Sequence, residues 1–138
     1  MKAFLDASLP TYLLVLENEE LRRYSSFLSE IMRKYELYTD PIVADEILWI
    51  CRKKYRIPYN ITSAFVRSVI IPVVQILEIT ESDITSAMDI LTNGELDKPS
   101  DAIHLVVMRR EGITAIITED EDFNNIRGIA RIWVGQQT

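Results

Sequence analysis

Short apolar segments alternate with amphipathic segments along nearly the whole chain, and this alternation is what most limits its fold. The apolar runs are brief, continuous and rich in β-branched residues, as at 2–6, 73–79 and 113–117, which is typical of strands buried on both faces. Between them, apolar residues recur at helical spacing. We therefore predict a three-layer α/β/α sandwich with a mainly parallel central sheet.

Start signals place the predicted helices. Ser8 is a candidate N-cap for the first helix, with Pro10 in its first turn. Asp40 with Pro41 begins a later helix by the same combination of a capping side chain and a proline. The remaining predicted elements are helices at 18–35, 62–71, 81–91 and 99–110 and short strands at 36–39 and 129–134.

The size of the chain suits one compact unit. A length of 138 residues with 48% hydrophobic content allows a single domain, 1–138, with a genuine core. Cys51 is the only cysteine, so we expect a buried thiol and neither a disulfide nor a zinc site. Asp6 interrupts the N-terminal apolar residues too early for a signal peptide, and no apolar run suits a membrane span, so we expect a cytoplasmic protein without a membrane partner.

The net charge bears on nucleic-acid binding. Fifteen basic residues against 21 acidic ones give −6, which argues against a protein that attracts nucleic acid by its overall charge. A nuclease built from carboxylates escapes this objection in part, because bound divalent ions become the phosphate-binding charges. The acidic balance therefore leaves RNA open as a partner.

Other α/β functions fit the sequence less well. The four glycines form neither a G-x-G-x-x-G motif nor a Walker loop, which disfavours nucleotide binding. An aspartyl phosphatase needs a second aspartate soon after Asp6, and the sequence has none there. A phospho-receiver needs a lysine just after a late strand, and this residue is also missing. Both are minor alternatives.

Acidic residues lie where the predicted strands end. Asp6 closes the first strand, Asp120 and Asp122 follow the strand at 113–117, and Asp101 begins the helix before that strand. Ligands of open parallel sheets bind at the carboxyl ends of the strands, so these acids are candidate site residues. Taken singly, each also fits a structural role in a turn or at a helix N-terminus.

Glu46 is a fifth candidate for a different reason. It lies at i+3 from Val43 and beside Ile47 and Ile50, so its carboxylate falls on the apolar stripe of its helix. A glutamate in that position needs a partner, unless it is solvated at the edge of the stripe. Asp45 takes the role if the helix phase is shifted by one residue.

Such acids are costly to bring together without a cation. Two carboxylates at ~4 Å repel by roughly 4 kcal/mol at an effective dielectric of 20. A hard divalent ion removes this penalty, and the lack of cysteine or histidine clusters favours Mg²⁺ or Mn²⁺ over zinc. The chemistry that suits this arrangement is phosphodiester hydrolysis.

Four motifs resemble those of the PIN-domain family, in particular the toxin-type ribonucleases of prokaryotic toxin–antitoxin pairs. They are FLDAS at 4–8, IVADEIL at 42–48, SDAIH at 100–104 and ITEDEDF at 117–123. The first two are weak alone. The last two, separated by a glycine and an apolar strand, are fairly specific, and the order and spacing of all four strengthen the resemblance.

The resemblance implies roles for individual residues. By it, the metal ligands and catalytic residues are Asp6, Glu46, Asp101 and Asp120, with Asp122 as a fifth acid or a substitute for Asp120. Ser8 and Thr118 are supporting polar residues that hydrogen-bond ligands or a water. Phe123 is a packing anchor.

The resemblance also implies partners. It predicts Mg²⁺- or Mn²⁺-dependent cleavage of RNA that leaves a 5′-phosphate, a homodimer and, for a toxin, an antitoxin that fills the acidic groove with an arginine. The competing hypothesis is a non-catalytic PIN-like scaffold that binds RNA or protein and uses the acids structurally.

Two further features have open interpretations. Arg52, Lys53 and Lys54, with aromatic neighbours such as Tyr59, could bind RNA phosphates and bases, but the same pattern fits a solvated helix end or a surface for a partner protein. His104, the only histidine, lies one helical turn beyond Asp101. We do not predict a general-base role for His104.

Overall fold

A computed structural model describes residues 1–136, so positions 137 and 138 of the predicted domain lie outside the described residues. Within this range the chain forms five strands and six α-helices. The strands are β1 (Lys2–Leu5), β2 (Glu36–Thr39), β3 (Val74–Ile76), β4 (Ala115–Ile117) and β5 (Ala130–Ile132). The helices are α1 (Ser8–Val15), α2 (Asn18–Lys34), α3 (Pro41–Lys53), α4 (Tyr59–Phe65), α5 (Glu81–Asn93) and α6 (Pro99–Arg110).

The strands form one sheet in the order β3-β2-β1-β4-β5, and every neighbouring pair is parallel. From β1 the chain moves outward through β2 to β3 and then returns to place β4 on the other side of β1. The loops after β1 and β4 therefore leave the sheet in opposite directions, which opens a crevice at their carboxyl ends. The register pairs Phe4 with Ile116 and Leu5 with Ile117, so residues 6 and 118 face each other at that edge.

The two central strands are buried on both faces. Successive residues of β1 from Ala3 to Leu5, and all of β4, are buried, which requires helices on each side of the sheet. Within the helical layers, α1 packs against α2 and α3, α3 packs against α4, and α5 packs against α6. The predicted α/β/α sandwich is confirmed, and its sheet is entirely parallel.

The start of α3 is as predicted, while the start of α1 is not. Asp40 Oδ1 accepts hydrogen bonds from the backbone N–H groups of Ile42 and Val43 at 3.0 and 3.2 Å, with Pro41 as the first helical residue. The prediction that Ser8 is an N-cap is wrong, because Ala7 occupies the cap position and Ser8 is already helical. Its hydroxyl is engaged elsewhere, as described below.

The region after α3 differs from the predicted helix at 62–71. The helix begins earlier because the Pro58 carbonyl accepts hydrogen bonds from the N–H groups of Ile61 and Thr62. It continues as a π-helical turn, Val66–Ile70, and then as a 3₁₀ turn, Ile71–Val73. Pro72 has no N–H group to extend an α-helix, and the strand that follows is shorter than predicted.

Smaller predictions also have clear outcomes. Cys51 is a buried free thiol, and Phe123 is fully buried as the expected packing anchor. The final strand, β5, lies at one edge of the sheet. Among the helices of residues 1–136, none combines the length and the apolar character that crossing a bilayer requires.

Candidate active site

Asp6 is fixed at the carboxyl edge of the sheet by hydrogen bonds to both of its oxygens. Oδ1 accepts from the N–H of Ala7 at 2.8 Å, and Oδ2 accepts from the hydroxyl of Thr118 at 2.7 Å. The Asp6 N–H donates to the carbonyl of Ile117 at 3.1 Å. The parallel register of β1 and β4 thus places an acid of the first motif beside the polar residue of the fourth.

Thr118 joins the two loops of the crevice. Besides donating to Asp6, its hydroxyl oxygen accepts from the N–H of Asp120 at 3.1 Å and lies 3.4 Å from Ser8 Oγ. Ser8 Oγ in turn accepts from the N–H of Glu119 at 3.1 Å. Both residues expected to support the site therefore lie in it and tie the loop after β4 to the start of α1.

Asp101 contributes a buried carboxylate from the first turn of α6. Asp101 is only 5% exposed, and its Oδ2 has no hydrogen-bond partner among residues 1–136. Burial and the charges of Asp6 and Asp120 raise the pKa of Asp101 to about 7, against the opposing effect of His104 and Lys98. The positive charges of His104 and Lys98 therefore compensate the Asp101 carboxylate only in part.

Asp120 and Asp122 lie at the mouth of the site. Asp120 precedes the 3₁₀ turn Glu121–Asn125 and caps it by accepting from the N–H of Asp122 at 2.9 Å. The ammonium group of Lys98 lies 3.5 Å from Asp120 Oδ2 and 3.9 Å from Asp122 Oδ2. The charge of Asp120, and then those of Asp101 and Asp122, outweigh burial and raise the pKa of Lys98.

Glu46 reaches the site from α3 and is held there by His104. His104 Nε2 lies 2.8 Å from Glu46 Oε1 and 3.8 Å from Asp6 Oδ1, while Nδ1 lies 2.7 Å from Asp40 Oδ2. The imidazole is fully buried. Asp40 thus has two roles, because Oδ1 caps α3 and Oδ2 orients the ring that holds Glu46.

The surroundings of His104 favour its charged form. Burial opposes that charge, but the hydrogen bonds to Asp40 and Glu46 and the charges of Asp40 and Asp6 outweigh it and raise the pKa of His104 to about 10. At neutral pH both ring nitrogens then donate to carboxylates. A fully buried ring engaged in this way is poorly placed to accept a proton from a substrate.

The acids expected to meet do so as two adjoining groups. In each group the potential ligand atoms lie within 4.8 Å of one another. The first group is Asp6, Glu46 and His104, and the second is Asp101, Asp120 and Asp122. The hydroxyl of Thr118 links them through Asp6 and the Asp120 backbone. Asp45, the alternative to Glu46, is exposed and belongs to neither group.

An open groove of about 350 Å³ runs past the acids, with Asp6, Glu46 and Asp120 in its wall. Lys54, Tyr55 and Tyr12 line the same groove, so one of the three basic residues proposed to bind RNA lies beside the acids. All three lie against aromatic rings. The Lys54 ammonium is 5.3 Å from the centre of the Tyr55 ring, the Arg52 guanidinium 5.8 Å from that of Tyr59 and the Lys53 ammonium 5.5 Å from that of Trp49.

Sequence reasoning missed Asp40 and Lys98 as parts of the site and treated His104 only as a rejected base. A signal for one of these was present: His104 falls among buried apolar positions of α6, and a buried histidine needs a polar partner. Which residue would serve could not be read locally, because Asp40 and His104 are 64 positions apart. Lys98 gives no comparable signal, since it precedes a helix like many solvated lysines.

The chain thus belongs to the class of α/β/α sandwich proteins. Its sheet is fully parallel, and acidic side chains converge at the carboxyl ends of β1 and β4. The sequence model of the PIN domain matches residues 3–129, nearly the whole chain. The chain belongs to the PIN domain family.

Solved structures share the fold at low sequence identity. The VapC20 toxin of Mycobacterium tuberculosis, described as cleaving the sarcin–ricin loop, superposes with a TM-score of 0.73 at 18% identity over 89% of this chain and 93% of that one. VapBC2 of Rickettsia felis, bound to a promoter DNA fragment, gives 0.71 at 12% identity over 96% and 98%. A toxin–antitoxin complex of Klebsiella pneumoniae gives 0.66 at 19% identity over 94% and 96%. No curated protein sequence matches significantly.

Proposed function

We propose that the chain is a metal-dependent endoribonuclease and the toxin of a toxin–antitoxin pair. Membership of the PIN domain family supports a nuclease, and the fold is shared with a toxin described as cleaving the sarcin–ricin loop. The observation that carries the proposal is the buried Asp101 carboxylate, which lies beside Asp6 and Asp120 with one oxygen unpartnered among residues 1–136.

The residues present fit a hard divalent ion. The donors are carboxylate oxygens, as Mg²⁺ and Mn²⁺ prefer, and the unpartnered oxygen of Asp101 is one that a cation would satisfy. We propose that Asp6, Glu46, Asp101 and Asp120 hold the ion, with Asp122 at the mouth as an additional acid. When bound, such an ion lowers the pKa of a water and offsets the charge that develops on a phosphate.

The remaining residues of the site have positioning roles in this proposal. Thr118 fixes the orientation of Asp6 by donating to Oδ2, and Ser8 fixes the backbone at Glu119. Lys54 and Tyr55 line the groove beside the acids, where an ammonium group can bind a phosphate and an aromatic ring can stack on a base. Single-stranded RNA, with its bases accessible, suits such a groove.

The test compares three variants on labelled RNA with Mn²⁺ present. We expect Asp6→Asn and Glu46→Gln to stay folded and to lose at least ~100-fold in cleavage rate, since even the outer partners of metal ligands typically cost 10- to 100-fold. Asp45→Asn is the matched control, because it removes a charge from the same helix at an exposed position, and it should cleave normally. Persistent cleavage by both Asp6→Asn and Glu46→Gln would refute the enzymatic assignment.

The partner proposed for the toxin is an antitoxin that places an arginine in the acidic groove. Several proteins of the same fold were solved as toxin–antitoxin complexes, and the acids of this site offer the carboxylates that a guanidinium binds in a bidentate manner. The homodimer remains a proposal from the family resemblance, and light scattering of the purified protein tests it. Co-expression with a neighbouring small reading frame should suppress toxicity.

One observation favours the competing scaffold. His104 and Lys98 supply positive charge to the two acid groups from the chain itself, so the acids are partly compensated without a metal. A scaffold would bind no Mn²⁺ and would cleave no RNA across a broad panel. Calorimetric titration of the purified protein with Mn²⁺ separates the two functions.

A further inference from the structure

The second acid group carries its own cation. Asp101, Asp120 and Asp122 offer three carboxylates with ligand atoms within 4.8 Å of one another, which would suit a second divalent ion in a nuclease that uses two. The group also contains the Asp101 side chain, which is 95% buried and has an oxygen without a partner among residues 1–136. The Asp101 oxygen therefore leaves a place for a divalent ion, whereas Asp120 and Asp122 already contact a cation of the chain itself.

Lys98 already reaches two members of this group. Its Nζ lies 3.5 Å from Asp120 Oδ2 and 3.9 Å from Asp122 Oδ2. Lys98 immediately precedes Pro99, the first residue of α6, whose first turn carries Asp101. The ammonium group and the three acids are thus brought together by the start of one helix and the turn after β4. A divalent ion bound by the same oxygens would lie next to the ammonium charge.

We propose that Lys98 takes the place of a second metal ion, so that the chain binds one divalent ion per site. The inference rests on the proposed function, since it divides the same acids between an ion and a lysine. In this arrangement Asp6, Glu46, Asp101 and Asp120 hold the ion as proposed above, and Asp120 Oδ2 and Asp122 Oδ2 also hold Lys98 at the groove. The Lys98 ammonium is then available to the phosphate of an RNA substrate, in the role of the second cation of a two-metal site.

The experiment counts Mn²⁺ ions per chain by electron paramagnetic resonance of free Mn²⁺ in metal titrations, without any substrate. We expect one ion for the wild type and two for Lys98→Met, which removes the charge at similar side-chain length. Lys98→Arg keeps the charge and should still bind one. Lys53→Met, which removes a lysine that lies on the Trp49 ring, is the matched control and should also bind one.

The outcomes separate this inference from the proposed function. Two ions in the wild type, or one in Lys98→Met, would overturn the role of Lys98 and leave the metal-dependent nuclease intact. A wild type that binds no Mn²⁺ at all would overturn both. The inference is supported if Lys98→Met binds a second Mn²⁺ at least tenfold more tightly than the wild type does.

Discussion

Asp40 and His104 form a buried ion pair, with 2.7 Å between Oδ2 and Nδ1, that ties the N-terminus of α3 to α6. Both side chains are fully buried. Because the other ring nitrogen holds Glu46, the pair connects a helix cap to a candidate metal ligand. The geometry of the site therefore depends on a residue that lies outside the four motifs of the family.

Asp40→Asn isolates the charge of this pair, because asparagine still caps a helix well. We expect it to lower the free energy of unfolding by roughly 3 to 5 kcal/mol, as on removing one partner of a buried pair, because the single amide oxygen that caps α3 leaves the NH₂ group facing His104 Nδ1. Asp40→Ala should lose about 1 kcal/mol more with the cap. Urea unfolding measures both, with Asp45→Asn as control. Equal stability of all variants would contradict the structural role.

The raised pKa of Asp101 predicts a pH effect on stability. The pKa is about 7 in the folded chain against 3.8 for an ordinary aspartate, so the folded state binds the proton more tightly. The contribution of this bound proton to the free energy of unfolding is fully present below about pH 4 and is lost as the pH rises toward 7. Without metal, Asp101→Asn should therefore match the wild type near pH 4 and exceed it at pH 8 by roughly 4 kcal/mol, at about 1.4 kcal/mol for each unit between the two pKa values. Thermal unfolding at the two pH values measures this, and an equal difference at both would contradict it.

Much of the fold could be predicted because local signals agreed. The apolar runs identified the strands, and the Asp40-Pro41 pair identified the start of α3. The position of Glu46 on an apolar stripe indicated that its carboxylate needs a partner, which is His104. Ser8 shows the limit of such signals. A serine before an apolar run looks like a cap, yet its hydroxyl is used by the loop after β4, 111 positions away.

The partners within the site could not be predicted, because they depend on the order of the strands. Asp40 follows β2 and His104 lies on α6, and only the return of the chain from β3 to β4 brings them together. The division of the acids into two groups has the same origin. The sequence shows which residues are acidic, but not which carboxylates form a salt bridge within the chain, as Asp120 does with Lys98.

Thr118 should act on the site through Asp6. Thr118→Val keeps the shape but removes the hydroxyl that donates to Asp6 Oδ2 and accepts from the N–H of Asp120. We expect Mn²⁺ affinity to fall roughly 10- to 100-fold, as for other partners that orient metal ligands. Thr118→Ser retains the hydroxyl and should restore most of the affinity. If Thr118→Val binds Mn²⁺ as tightly as the wild type, the hydrogen bonds of the hydroxyl do not support the site.

Lys54 and Lys53 are adjacent on the chain but differ in what they face, which makes them a matched pair. Each ammonium group lies over an aromatic ring, but Lys54 and its Tyr55 ring line the acidic groove, whereas Lys53 lies on the Trp49 ring, which does not. For a contact to one phosphate of single-stranded RNA, Lys54→Met should reduce the slope of log affinity against log salt by ~0.7 and raise KM more than it lowers kcat. Lys53→Met should change neither. Binding is measured by anisotropy with labelled RNA in the Asp6→Asn background, where we expect the RNA to stay intact. An effect of the same size from both lysines would mean that the α3 C-terminus attracts RNA by charge alone, without a specific contact in the groove.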